Sequence, residues 1–456
     1  MTTNWKIFRA VMIIGVCSIV VKLVSTAKEV SLASWFGRGD ALDAFLVAMI
    51  LPASVASLVA GAVSVSVIPV FIRSRENQGD ESSQQLFSSV QVASLLVFLV
   101  VSVLMAIGAP YYLPILGAGF TPAKLLLTRR LLYLLLPFPV LNGTITIWSS
   151  ILNSGEKFAL PAITPIMTPL VIVGALLLFG HSKGIFALAF ATVIGSVCEA
   201  VLLGLSLRAH GFQLRLRWYG LSPEFRRVFW QSFPILAGSI VMGTSPIIDQ
   251  SMAAMLSPGS VAALSYGYKV IGVIVAVTAA GLGNAVLAYL SKMAANSDWW
   301  GCRRTLKVYS LLILAVTVPI TLSLIAGTRP LVRLLYQRGA FTPTDTAVVS
   351  SVQLFYAFLI PLSTLSMLYV RFLSAMHRND LLAYSAVMNV CLDVFFNILL
   401  MRKMGVAGIA LSTSLVNVVA CAFVGFCAYK LLRKQEIAQD LRADFDPDRL
   451  GKPHGV

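Results

Sequence analysis

Residues 8–36 read FRAVMIIGVCSIVVKLVSTAKEVSLASWF, and the reading of this stretch decides the class of the chain. A helix needs ~20 apolar residues, each rising ~1.5 Å, to cross the hydrocarbon core of a bilayer, and this run exceeds that. It nevertheless carries Lys22 at its centre and Lys28 and Glu29 farther on, beyond Arg9 at its start. A charge near the midplane costs at least ~2.5–3.5 kcal/mol on insertion scales, so Lys22 is expected to face protein or water and not lipid. Gly15, Ser18, Lys22, Ser25 and Glu29 recur at steps of three and four, which lays a small and polar stripe along one helix face. The stripe reads as the wall of a hydrated cavity.

The rest of the chain has the same character. Of 456 residues, 58% are hydrophobic and 12% charged, with a mean hydropathy of +0.85. That excludes a soluble globular protein and defines a polytopic membrane protein. The net charge of +16 could suit nucleic acid, but the basic residues gather in the breaks between apolar runs, so no nucleic-acid partner is expected. No cleavable signal peptide is expected either, because the first apolar run is too long and has no small-residue cleavage site. Cys17, Cys198, Cys302, Cys391, Cys421 and Cys427 form no CxxC pair and read as apolar packers. The histidines fall in loops or the tail, and no zinc site is expected. Walker, HExxH and nucleophile-elbow motifs are missing, so the chain does not read as an enzyme, and no ATPase of its own powers transport.

Apolar runs separated by polar breaks give twelve expected spans, near 8–36, 41–72, 86–107, 124–150, 162–179, 185–207, 228–255, 261–291, 308–325, 347–375, 381–400 and 406–431. Lys and Arg favour the side of the N-terminus by roughly two to one, which places both termini in the cytoplasm. The densest basic loop, 208–227, sets five arginines against Glu224 and reads as a solvated, headgroup-facing segment. The charged run 433–456 reads as a cytoplasmic tail, partly disordered.

An internal repeat organises the spans. Gly119-Phe120-Thr121-Pro122 returns as Ala340-Phe341-Thr342-Pro343, and Gly184-Ile185 returns at the same offset as Gly405-Val406. Six helices per half preserve topology, so the halves are expected to be parallel repeats about an axis along the membrane normal. The expected architecture is an all-α protein of two six-helix lobes, 1–207 and 228–432, joined by 208–227, around a central cavity. Thr121 and Thr342 should cap helices, with the following proline in the first turn.

Several polar residues fall inside these spans. Lys28 and Glu29 form either a self-neutralising pair or a pair that switches partners as the lobes move. Lys22 has no acid within one turn and needs a partner from another helix or an anionic substrate. Asp43 is either an acid at a gate, reaching a lysine of the first span, or a simple helix cap. By the repeat, Lys269 on the eighth span could complete a basic cluster with Lys22 and Lys28, of a kind suited to a diphosphate. Asn389, Asp393 and Asn397 share one helix face; with Asp249 and Thr413 they offer hard oxygen ligands, a candidate site for an alkali cation. Glu199 is a further intramembrane acid, read as a proton site or as the partner of a basic residue.

At the first two spans, AKEVSLASWFGRGDALDAFLVAMILP (27–52) followed by VIPVF (67–71) resembles the MurJ/MviN family of lipid II flippases, in the MOP exporter superfamily. SPGSVAALSYGYKV (257–270), LLYQRGAFTPTDT (334–346), SAMHRND (374–380) and GVAGIALSTSL (405–415) extend the resemblance over nearly the whole chain. It implies a two-lobed MOP-type transporter that flips an undecaprenyl-diphosphate-linked glycan by alternating access in the bacterial inner membrane. It also implies that the family's cavity arginines correspond to Lys22, Lys28 and Lys269, and its neighbouring acids to Glu29 and Asp43. The sodium bound by some members corresponds to Asp249, Asn389, Asp393 and Thr413, so Na+ or H+ is the expected coupling ion and no other cofactor is expected. The family's Arg-Arg and Glu-Gly after the helix-2 proline are replaced here by Ala56-Ser57 and Ala60-Gly61. Two further helices are also missing, which points toward a relative serving exopolysaccharide or another lipid-linked oligosaccharide. A monomer beside the envelope glycan machinery is expected, in contact with membrane lipid. The alternatives are a cation-coupled MATE-type drug antiporter and a non-transporting membrane scaffold.

Overall fold

Residues 40–116 form two helical arms that meet at a single residue outside helical dihedrals, Gly79, at φ 84° and ψ −177°. At that residue the chain doubles back. Ser74 and Ser82 lie eight positions apart, yet their hydroxyls are 3.1 Å from each other, where a straight helix would separate them by ~12 Å. Val67, Val70 and Phe71 on one arm share a core with Leu86, Phe87 and Val90 on the other. The polar break 73–85 expected as a loop is therefore helical on both sides of one glycine, with Arg75 ion-paired to Asp80 across the turn. Pro52 and Pro69 are accommodated inside the first arm without non-helical dihedrals.

The structure, a computed structural model, describes residues 3–444. The helices run α1 (Thr3–Phe36), α2 (Asp40–Leu116), α3 (Pro122–Leu135), α4 (Pro137–Ser154), α5 (Ala159–Ile163), α6 (Met167–Lys183), α7 (Ile185–Ala209) and α8 (Pro223–Ala254). They continue as α9 (Ser260–Ala295), α10 (Trp299–Tyr336), α11 (Pro343–Ala357), α12 (Leu359–Ala375), α13 (Asn379–Met404) and α14 (Val406–Asp444), and no strand occurs among the described residues. Among the described residues, ten helical stretches are long and apolar enough to cross a membrane. Counting both arms of α2 and adding the 34-residue α1 gives the twelve crossings expected from the sequence.

By packing, the chain divides into two compact units, residues 1–263 with 333–346 and residues 264–332 with 347–456. In the first unit, α2 packs against α3, α4 and α8, and α7 lies against α4 and α6. The Trp35 ring of α1 sits where a Cβ on Gly180 would stand, and it meets His181 edge-on at 4.5 Å. In the second unit, Leu368, Phe372 and Leu373 of α12 form a core with Trp299, Cys302 and Leu306 of α10 and Val424, Ala428 and Leu432 of α14.

The repeat is visible in local geometry. Thr121 accepts a hydrogen bond from the Lys124 amide at the start of α3, and Thr342 accepts one from the Asp345 amide at the start of α11. Gly184 and Gly405 take matching left-handed dihedrals, φ 53° and 59°, at the turns before α7 and α14. The charged run after Leu432 departs from the expected tail, because α14 stays helical to Asp444. Glu436 is buried and bonded to Arg303 at 3.0 Å, which ties this extension to α10. Residues 445–456 of that tail lie outside the described residues.

Candidate functional site

On α1, Lys22 is exposed at the middle of the helix, flanked by exposed Ile19, Val20 and Leu23. Among the described residues no carboxylate lies within ion-pair distance of it. Lys28 and Glu29 pair at 2.9 Å, with Glu29 buried and Lys28 partly exposed, a contact that both readings of the pair share.

For Asp43 the sequence leaves two readings, an acid at a gate reaching a lysine of the first span and a simple helix cap. Its side chain is buried, and its two oxygens accept the Gly259 amide at 2.7 Å and the Ala262 amide at 2.8 Å. Asp43 therefore caps the start of α9 from another helix, occupying the place of an N-cap carboxylate and complementing the positive end of that helix. Its cationic partner is Lys124 of α3, at 2.9 Å, and not a lysine of α1. Lys124 also holds Asp40 and stands 4.0 Å over the Phe120 ring.

The same end of the first unit is sealed by further contacts. Arg38 pairs with Asp345 at 3.1 Å, with both side chains largely buried. Asp345 in turn accepts the Thr342 amide at 2.9 Å while Thr342 caps Asp345, a reciprocal capping box. The Ala340 amide donates to the Ser34 carbonyl at 2.8 Å. Gly37 and Gly259, at φ 53° and 81°, lie so close to the carbonyls of Ala340 and Arg38 that a Cβ at either would overlap them. The turn after α1, the FTP turns and the start of α9 thus form one cluster of charge-assisted bonds. Sequence reasoning found Asp43 but missed Lys124, Arg38, Asp40 and Asp345. The available signal was topological, since both FTP turns and the α1–α2 turn follow odd-numbered expected spans.

The remaining candidates divide between the units. Asp249 is buried on α8 in the first unit. Lys269 is partly buried on α9 in the second, where α13 and α14 carry Asn389, Asp393 and Thr413. Asp393 and Asn397 are buried, Ser412 reaches the Asp393 carbonyl at 3.5 Å, and the buried Oδ1 of Asn389 has no hydrogen-bond partner among the described residues. This part of the donor set fits a small cation in kind, with hard oxygens and one carboxylate. Among the described residues no group of three or more His, Cys, Asp or Glu could hold a transition metal.

Glu199 on α7 is only 8% exposed, and its carboxylate makes no ion pair and no hydrogen bond with any described residue. Glu199→Gln takes away a charge whose burial is costly without a partner, so its melting temperature in detergent is expected to equal or exceed that of the parent. A drop of several degrees would show that a cation does reach this site.

A long chain of membrane-length helices with a polar, lysine-bearing first helix has the fold of solved membrane transporters. The chain superposes on "Lipid II flippase MurJ, inward closed conformation" with a TM-score of 0.78 at 21% identity, covering 93% of this chain and 90% of that one. An inward-facing multidrug resistance MATE family transporter of the MOP superfamily follows at 0.72 and 12% identity, covering 92% and 98%. The family model "Lipid II flippase MurJ" matches residues 32–443, and the chain belongs to that family. It is similar to the probable lipid II flippase MurJ of Thermotoga maritima, 26% identical over 88% of this chain and 81% of that protein. The lipid II flippase MurJ of Burkholderia cenocepacia is 25% identical over 76% and 69%.

Proposed function

We propose that this chain flips a polyprenyl-diphosphate-linked glycan across the bacterial cytoplasmic membrane by alternating access, with lipid II, the substrate in its relatives' names, as the first candidate. The observation that carries the reading is Lys22, an exposed ammonium at the middle of a membrane-length helix with no carboxylate in reach among the described residues. An anion supplied from outside the chain offsets such a charge, and a diphosphate is one. Lys28, held by Glu29, is the second proposed phosphate contact, with Glu29 releasing it as substrate arrives. Lys269 has the same proposed role within the second unit. Asp43 gates by capping and uncapping α9 at the face proposed to be periplasmic, which leaves both termini cytoplasmic. The coupling ion, Na+ or H+, is assigned to Asn389, Asp393 and Thr413 in the second unit, with Asp249 the corresponding acid in the first. The protein is proposed to act as a monomer alongside the enzymes of envelope glycan synthesis.

The test is complementation of a flippase-depleted strain. Lys22→Ala is expected to abolish growth at normal membrane protein level, and Lys22→Arg to restore it. Full complementation by Lys22→Ala would end the assignment. In proteoliposomes, translocation of a fluorescent lipid-linked oligosaccharide should fall when sodium is replaced by potassium if Na+ is the coupling ion. The MATE-like fold keeps drug antiport as the second reading; ethidium transport without lipid translocation would favour it.

A further inference from the structure

The α7–α8 connection, residues 210–222, has no regular secondary structure, yet it is fixed in place. The side chain of Gln84 imitates a neighbouring strand: its Nε2 donates to the Gln213 carbonyl at 2.8 Å, and its Oε1 accepts from the Gln213 amide at 3.0 Å. Phe212 enters between Phe71 and Phe87, with ring centroids at 6.0 and 5.8 Å, and Leu214 packs on the same core. Farther on, the Tyr219 amide donates to the Ser89 hydroxyl at 3.4 Å, and Trp218 stacks edge-on against Phe225 at 5.1 Å.

With Phe212 and Leu214 turned inward, the residues that follow them are displayed. Arg215, Leu216 and Arg217 are exposed, Leu216 by 68%, and Leu221 is exposed by 75%. Trp218 is half exposed, and the guanidinium of Arg217 lies 5.1 Å from the Tyr219 ring centre. Arg208, Arg226 and Arg227 complete the basic set. None of the five arginines makes an ion pair within 4 Å among the described residues; Glu224 accepts from Gln78 at 2.8 Å, and Asp80 pairs with Arg75.

Exposed basic and apolar side chains thus lie side by side on a fixed segment that joins two membrane-length helices. A cytosolic acidic protein would satisfy the arginines but leave Leu216, Trp218 and Leu221 in water. A phospholipid offers both halves at a membrane boundary, where a segment joining two spans belongs, with a phosphate for the arginine forks and an acyl boundary for the apolar side chains. We propose that this shelf is a binding site for anionic phospholipid headgroups, with Arg215 and Arg217 on the phosphate and Leu216, Trp218 and Leu221 in the acyl boundary. The Gln84 clamp is the positioning element. It converts a flexible basic loop into a preorganised site.

The experiment is titration of the purified full-length protein in detergent with phosphatidylglycerol or phosphatidylcholine, counting bound lipids by native mass spectrometry. The parent should prefer phosphatidylglycerol. Each arginine near a charged headgroup contributes about fivefold, so the double variant R215Q/R217Q should bind phosphatidylglycerol on the order of 20-fold more weakly, with phosphatidylcholine binding unchanged. Gln84→Ala leaves every charge in place and should also lose most of the preference. Equal binding of both lipids by the parent, or undiminished phosphatidylglycerol binding by R215Q/R217Q, overturns the proposal. Full retention of the preference by Gln84→Ala overturns it as well, since the arginines would then act as diffuse charge and not as a built site. None of these outcomes depends on what the protein transports.

Discussion

Asp43→Ala is expected to destabilise the first unit by ~3–5 kcal/mol, the cost of removing one member of a buried ion pair. The substitution strips Lys124 of its buried partner and leaves the Gly259 and Ala262 amides without the acceptor that holds them at 2.7 and 2.8 Å. Lys124 keeps Asp40, but Asp40 is largely exposed and replaces only part of what is lost. Asp43→Asn should fall between parent and alanine variant, since its amide oxygen can still accept one of the two N–H groups. The measurement is the apparent melting temperature in detergent, taken for Asp43→Ala, Lys124→Met and the double variant. The two single losses should not add, because both remove the same pair. An Asp43→Ala protein that melts with the parent would show that the α9 cap is not held by this carboxylate.

Gly259→Ala is the second large effect. The residue sits at φ 81°, where a side chain costs ~1–2 kcal/mol on its own. A Cβ there would also overlap the backbone carbonyl of Arg38, and a carbonyl cannot rotate aside as a side chain can. The chain must then shift at the point where the Gly259 amide meets Asp43, so strain and loss of the cap arrive together. A loss of at least ~3 kcal/mol is expected, with transport failing in the same variant. Gly61→Ala is the matched control. Its Cβ meets nothing within 4 Å, and alanine improves a helix interior by up to ~1 kcal/mol. If the two variants melt together, the close approach at Gly259 has no energetic weight.

What was legible in the sequence was local or periodic. The polar stripe of α1, the caps at Thr121 and Thr342 and the return of Gly184-Ile185 as Gly405-Val406 all follow from residue types at fixed spacing. The family followed from contiguous blocks of the same kind. The contacts of Asp43 did not follow, because its partners lie 81 and 216 or more positions away, and Arg38 meets Asp345 across 307. Nothing in the spacing of a single sequence selects Lys124 over Lys22 or Lys28 as the partner of a given acid. The α2 hairpin was misjudged for another reason. Polar residues at 73–85 look like a loop on a hydropathy scale, although charged and amide side chains favour helix when no proline interrupts them. The same error placed the end of α14 too early, where a buried Glu436 keeps a charged run helical.

The hairpin at Gly79 has a mechanical corollary. Asp43 stands 36 residues from that glycine along a continuous helix, a lever arm of ~54 Å. The fulcrum is well anchored, since the core around Phe71, Phe87 and Phe225 lies at the Gly79 end. A swing of only ~3° about it moves the far tip by ~3 Å, as much as the full length of the bonds from Asp43 to α9. Angular play too small to disturb the packing at the base is therefore enough to latch or unlatch the opposite end.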